Sequence, residues 1–173
     1  REIAPGNRRA LAEIARAAGM PLATHDDATS AHVQEAVDLG AVFTEFPTTR
    51  EAAQAAHDLG LATLMGTPNL MRGGSHSGNI AAGELAKAGL LDLLASDYIP
   101  ASLLKGAFRL TEPPVDMPLW QAVAMVTSRP AAIAGLEDRG RIAAGLRADL
   151  IRVKLIDGRP IVRAVLVGGE RVA

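Results

Sequence analysis

One unit recurs four times along the chain: an amphipathic stretch, a glycine, a short apolar run and a polar cluster. The closing glycines are Gly19, Gly40, Gly60 and Gly89, spaced 21, 20 and 29 residues apart. A glycine just past a periodic apolar stretch ends a helix, because it enters the left-handed conformation without a Cβ clash. The pattern predicts helices over residues 8–18, 31–39, 48–59 and 80–88. Strands are predicted at residues 21–24, 41–43, 61–65 and 90–95. Alternating strands and helices of this length imply parallel pairing through right-handed crossovers. The one long repeat localises an insertion to the loop at residues 66–79. Each polar cluster follows a strand, where parallel α/β folds open their crevice.

Finer signals fill in this frame. Leu11, Ile14, Ala15 and Ala18 form the expected apolar face of the first helix. Thr29 or Ser30 caps the second. In the third, Thr48 and Glu51 have capping-box spacing, with Ala52, Ala55, Ala56 and Leu59 as the apolar face. Residues 119–126 read as a helix, and Trp120 and Met125 as core side chains. Beyond residue 140 the texture turns to β, with strands at 148–153, 161–167 and 171–172 and a turn at Gly168-Gly169. Residues 1–135 therefore form one α/β body and residues 136–173 part of a second, smaller sheet.

Composition narrows the class. Of 173 residues, 49% are apolar and 21% charged, too apolar a balance for intrinsic disorder. Aromatics are only 3%, which suits alanine-lined helix-on-sheet packing. A net charge of −1 gives no basic field, so no nucleic-acid or membrane partner is expected. Cysteine is absent, which excludes disulfides and thiolate metal sites and fits a cytoplasmic protein. No apolar run approaches the ~20 residues of a membrane span. The chain opens on Arg1 rather than Met, the mark expected of a processed or partial chain.

Four places carry candidate chemistry. His25 follows the first strand, with Asp26 and Asp27 beside it. An imidazole there suits a metal and a neighbouring carboxylate can orient it; the alternative is a loop histidine beside a helix cap. Glu45 follows the second strand, either as a ligand or as a surface charge. Asp97 follows the fourth strand, either as a proton acceptor or as a helix cap. The loop Arg72-Gly73-Gly74-Ser75-His76-Ser77-Gly78-Asn79 sets a cation and neutral donors on a glycine frame, which suits phosphate; the alternative is a flexible surface loop. Lys105 and Arg109 either reach an anion or face water. His32 and His57 read as solvent-facing.

Taken together these stretches resemble a known family. Thr24-His25-Asp26-Asp27, Glu45-Phe46-Pro47-Thr48-Thr49, Gly66-Thr67-Pro68-Asn69, the Arg72–Asn79 run, Gly89-Leu90-Leu91-Asp92 and Ser96-Asp97-Tyr98-Ile99-Pro100 resemble the sugar-triphosphate diphosphatases of the carbon–phosphorus lyase pathway. The tail, from Asp138 to Ile142 and from Gly145 to Leu150, is similar to the wider amidohydrolase superfamily. The resemblance implies the C-terminal half of a (β/α)8 TIM-type barrel, four βα units, plus part of a small β-sandwich. It implies one or two divalent ions, zinc with manganese or iron as alternatives, held by His25, Asp97 and Glu45. Glu45 stands where the superfamily commonly has histidine. Asp97 would also handle the proton of the attacking water. Arg72, Ser75, His76, Ser77 and Asn79, with Lys105 as a weaker candidate, would hold phosphoryl oxygens. The expected reaction is release of pyrophosphate from ribose 1-methylphosphonate 5-triphosphate.

The superfamily's His-x-His has no counterpart in the chain, and a whole barrel takes about 250 residues. The missing half would come from a preceding segment or another chain, and a homo-oligomer is expected. The rival readings are an amidohydrolase acting on a C–N bond, and a non-catalytic fragment or interaction domain.

Overall fold

A computed structural model of the chain describes residues 3–75 and 77–173. Four strands, β1 (Leu22–His25), β2 (Ala41–Glu45), β3 (Ala62–Gly66) and β4 (Leu93–Ala95), pair in parallel in the order β1-β2-β3-β4. The helices α1 (Ile3–Ala17), α2 (Ser30–Asp38) and α3 (Arg50–Asp58) precede and separate β1, β2 and β3. All four stop glycines take positive φ, from +63° to +82°. The repeat therefore reads directly into backbone conformation.

The β3–β4 crossover is longer than the others, as the glycine spacing requires. It holds two short helices, α4 (Thr67–Arg72) and α5 (Ala82–Lys87). The sequence pattern predicts a loop throughout residues 66–79. Instead Pro68, near the start of α4, supplies a preset φ where no helical N–H bond is needed. Gly73 closes that helix in the left-handed conformation. After β4 come α6 (Ser102–Arg109), α7 (Leu119–Ala124) and α8 (Ser128–Ile133).

Alanine sets the packing distance. Val33, Ala36, Ala41, Ala52, Ala56 and Leu61 form one buried cluster where α2 and α3 meet the sheet. A larger cluster joins Met65, Leu70, Leu85, Leu90, Leu94, Leu110 and Met125 around β3, β4 and the later helices. Two expectations fail here. Ala12 and Ala15 are the buried residues of α1, while Leu11 and Ile14 are 61% and 62% exposed. Met125 is core, but Trp120, at the first turn of α7, is 71% exposed. A helical period locates a stripe without saying which stripe has a neighbour to meet.

Pairing register fixes the two faces of the sheet. Thr44 and Thr63 are register partners and both are buried. Their neighbours Glu45 and Leu64 are only partly buried. Side chains alternate across a strand, so one face is covered by helices and the other lacks equal cover. His25 and Glu45 are register partners on that second face.

The loops at the strand ends are tied together. Thr49, not Thr48, caps α3, its Oγ1 accepting from Ala52 N at 3.1 Å. Glu51 does not close a capping box. Its carboxylate instead accepts from Ser30 N at 2.9 Å and Ser30 Oγ at 3.0 Å, at the start of α2. The Ser30 backbone bond, aided by its hydroxyl, holds the Glu51 carboxyl below its ordinary value. Asp27 is buried and accepts from the hydroxyls of Thr24 and, at 2.7 Å, Thr44. Its carbonyl accepts from Thr48 N at 2.8 Å. Through its carboxylate and its carbonyl, Asp27 thus links β1, β2 and the loop before α3.

The tail forms a separate three-stranded antiparallel sheet of β5 (Leu150–Ile156), β6 (Arg159–Val167) and β7 (Glu170–Arg171). The expected turn at Gly168-Gly169 joins β6 to β7. A second turn at Asp157-Gly158, both at positive φ, joins β5 to β6 and lengthens both strands beyond the sequence reading. Asp149 accepts from Gly168 N at 2.8 Å and from Arg147 Nε at 2.9 Å. The Gly168 bond, then the arginines, hold its carboxyl below the usual range.

Two outcomes follow for stability. Gly106 of α6 lies against Thr67, and an added Cβ would sit 2.9 Å from Thr67 Cβ. Gly106→Ala should cost about 1–3 kcal/mol by overpacking, read as a lower denaturation midpoint. Because the Glu51 carboxyl is lowered on folding, its contribution is complete above pH 4.5, its ordinary value, and fades as pH falls through the folded value. Glu51→Gln should therefore narrow its stability gap to the parent chain as pH drops below 4.5, measured by thermal melts across the acid range.

Candidate active site

The carboxyl ends of the strands do not simply run out into loops. Asp26 after β1, Phe46 after β2 and Asp97 after β4 all take left-handed φ, at +59°, +55° and +51°. Non-glycine residues rarely adopt this conformation, and it collects at sites that need a particular geometry. Backbone bonds lock two of the bends: Asp26 N donates to Glu45 O, and Phe46 N to Leu64 O, each at 2.9 Å. All three residues line one cleft of about 180 Å³.

Around that cleft stand Asp26, Gly66, Asn69, Arg72, Ser75, Ser77, Asn79 and Asp97, with Phe46, Pro47 and Met65. The loop residues Arg72, Ser75, Ser77 and Asn79 were singled out by sequence, and the fold brings them to Asp97. His76 lies outside the described residues. Asn69 frames the loop: its Oδ1 accepts from Ala82 N at 2.9 Å, and its Nδ2 donates to Ile80 O at 3.4 Å. This pins the two ends of the insertion to each other.

Asp97 does not cap a helix. The residue before α6 is Ala101, with no side-chain cap bond. The Asp97 carboxylate lies instead over the end of β3. A Cβ on Gly66 would meet Asp97 Oδ2 at 3.0 Å and Asp97 Cβ at 3.3 Å. Only glycine at the end of β3 leaves that approach free. The short run before α6 is held by Ser102, whose Oγ donates to Ile99 O at 2.6 Å and also bonds Thr67.

His25 is half exposed. Its Nδ1 lies 3.1 Å from Asp26 Oδ2, the orienting carboxylate that the sequence suggested. Its ring meets Phe46 edge-on, centroids 5.3 Å apart. His25 lines a neighbouring hollow with Asp27, His32 and Glu35 rather than the cleft of Asp97. Glu45 is its register neighbour. Among the described residues no three His, Asp or Glu side chains come together as a metal cluster. The donor types expected for a divalent ion are present, but these residues do not by themselves fit a closed site. Lys105 is exposed on α6 and does not line the cleft, and Arg109 pairs with Glu112 at 2.7 Å. No helix among the described residues is long and apolar enough to cross a membrane.

Sequence reasoning treated Asp26 only as an accessory to His25 and gave Gly66, Asn69 and Tyr98 no role. Gly66 and Asn69 had a readable signal, since they flank the first residues of the insertion. The hydrogen bond between Arg72 and Tyr98, 2.6 Å long and 26 positions apart, had none.

The family model described as "Amidohydrolase family" matches residues 2–173. The chain is 52% identical over 167 residues to alpha-D-ribose 1-methylphosphonate 5-triphosphate diphosphatase of Escherichia coli K12, covering 96% of the chain and 44% of that protein. Among solved structures it resembles N-acetylglucosamine-6-phosphate deacetylase of Pasteurella multocida, with TM-score 0.66 and 15% identity over 90% of the chain and 51% of that structure. It also resembles ochratoxinase of A. niger, with TM-score 0.67 and 16% identity over 96% of the chain and 45% of that structure. At such identities these structures speak for the fold alone. The chain spans less than half the length of the E. coli relative, and about half of each of the two solved structures. With the family match running through nearly every residue, the chain belongs to the amidohydrolase family.

Proposed function

We propose that this chain is the carboxyl-terminal half of a barrel hydrolase that releases pyrophosphate from ribose 1-methylphosphonate 5-triphosphate. The observation that carries this reading is the 52% identity, across 96% of the chain, to the E. coli diphosphatase. The cleft supports it independently. Arg72, Ser75, Ser77 and Asn79 supply one cationic and three neutral polar groups suited to phosphoryl oxygens, beside a carboxylate free to take a proton. A C–N hydrolase acting on an unphosphorylated substrate would have no evident use for that loop.

A divalent cation, with His25, Glu45 and Asp97 as its donors from this half, would supply Lewis-acid charge and an activated water. The other donors would come from the half that this chain does not span. The remaining steps belong to this chain's own side chains. The loop residues hold the triphosphate so that the phosphorus nearest the ribose faces Asp97. Asp97 Oδ2 takes the proton of the attacking water. As the new P–O bond forms, the bond to the bridging oxygen breaks and pyrophosphate leaves, with Asp97 returning the proton toward it. Gly66 keeps the position of Asp97 open, and Asp26 steadies His25 from the side.

The test is a chimera in which this chain replaces the matched segment of the E. coli diphosphatase. It should release pyrophosphate from the sugar triphosphate. A folded chimera that releases none, or that instead cleaves an amide, overturns the reading. In that chimera Asp97→Asn should lower kcat by about 10²–10⁴-fold with the fold intact, as expected for loss of a proton acceptor. Arg72→Ala should act mainly on KM, raising it about 10-fold or more, since a charge-assisted bond to phosphate is lost.

A further inference from the structure

Arg72 is held in an unusual way. It stands at the last turn of α4 and lines the same cleft as Asp26 and Asp97, yet it pairs with no carboxylate among the described residues. Its partner is a neutral phenol: Arg72 Nη1 donates to the Tyr98 hydroxyl at 2.6 Å. The guanidinium carbon is 5.8 Å from the ring centroid. With so short a bond to the hydroxyl, that distance places the cation at the hydroxyl end of the ring rather than over its face. The hydrogen bond, not ring stacking, is the contact.

Tyr98 is placed for this by its neighbours. It follows Asp97, whose left-handed backbone turns the chain away from β4. Ile99 N donates to Ser96 O at 3.1 Å, closing a tight turn around both residues. The bond from Arg72 therefore bridges the two long strand-end loops, the one after β3 and the one after β4.

We infer that Tyr98 is a positioning residue that holds Arg72 as the phosphate-binding arm of the cleft. The inference rests on the phosphate reading of that cleft. A guanidinium beside two carboxylates tends to pair with one of them, and an anionic ligand must then break that pair. A phenol fixes the same guanidinium through one N–H and leaves its charge unneutralised. Four N–H groups remain for a phosphoryl oxygen pair, in the planar fork that suits it. The ligand class is a polyphosphate chain rather than a single carboxylate or amide, since the loop sets Ser75, Ser77 and Asn79 along the same wall.

The probe is inorganic tripolyphosphate with magnesium, titrated into the full chain by calorimetry. Tyr98 is 59% exposed, so Tyr98→Phe keeps the fold, which thermal melts check. Tyr98→Phe should weaken binding roughly five- to tenfold. Arg72→Ala should weaken it at least as much, and the double variant no further than Arg72→Ala alone. The Arg72 Nε–H signal in nitrogen-15 NMR should become mobile in Tyr98→Phe, while that of Arg109 stays unchanged. Wild-type affinity in Tyr98→Phe, or losses that multiply in the double variant, would overturn the role of Tyr98 and leave the phosphate reading standing. No binding by the parent chain would overturn both.

Discussion

In a parallel sheet neighbouring strands point the same way, so their carboxyl ends arrive together. Everything at the site depends on that alignment across β1 to β4. His25 and Glu45 become neighbours through register alone, although 20 residues separate them. Gly66 and Ala95 are register partners in the same way, and Asp97 follows two residues later over the end of β3. A one-residue slip in any pair would turn these side chains to the helix-covered face. The buried Thr44 opposes such a slip. Thr44 bonds the buried Asp27, which also binds Thr24. A shift of β1 against β2 would leave that carboxylate buried without its bond from Thr44, a costly loss.

Alignment brings the strand ends together, and the left-handed bends then aim them. Asp26, Phe46 and Asp97 each bend the chain within two residues of a strand end. The conformation is unfavourable for a residue with a Cβ, so the surrounding bonds must enforce it. At Asp26 and Phe46 a backbone N–H to the adjoining strand does so. At Asp97 the turn closed by Ile99 and the hydroxyl of Ser102 hold the segment that follows. Three of the four strand ends are bent in this way, and all three bent residues line one cleft.

Much of this was legible in the sequence, and the limits have physical causes. The stop glycines marked the repeat because their conformation is a local property, fixed by the missing Cβ. The Arg72–Asn79 loop stood out because its composition is odd for a surface loop. The helix α4 was hidden by the same glycines and by Pro68, which reads as a breaker but sits where a helix tolerates it. The turn at Asp157-Gly158 is itself a standard hairpin pair, legible by the same rule as Gly168-Gly169. The exposed faces of Leu11, Ile14 and Trp120 could not be read, because periodicity says nothing of whether a partner is present. Glu51 closes no capping box because its carboxylate accepts from Ser30, a tertiary donor 21 residues away. Tyr98 was invisible for a similar reason: its role exists only through a contact 26 residues away.

The charges of the cleft join the two halves of the functional reading. Among its described lining residues Arg72 is the one cation, and Asp26 and Asp97 are carboxylates. A bare polyphosphate would meet more negative than positive charge there, and like charges at such range repel. The loop is therefore of use to a polyanion only when cations offset the carboxylates. Divalent ions do this in phosphoryl transfer, bridging acidic side chains and phosphate oxygens. The metal reading of Asp97 and the phosphate reading of the loop are thus not independent guesses. Each supplies the charge balance that the other needs, and the neutral grip of Tyr98 on Arg72 keeps the one fixed positive charge from being consumed by the carboxylates beside it.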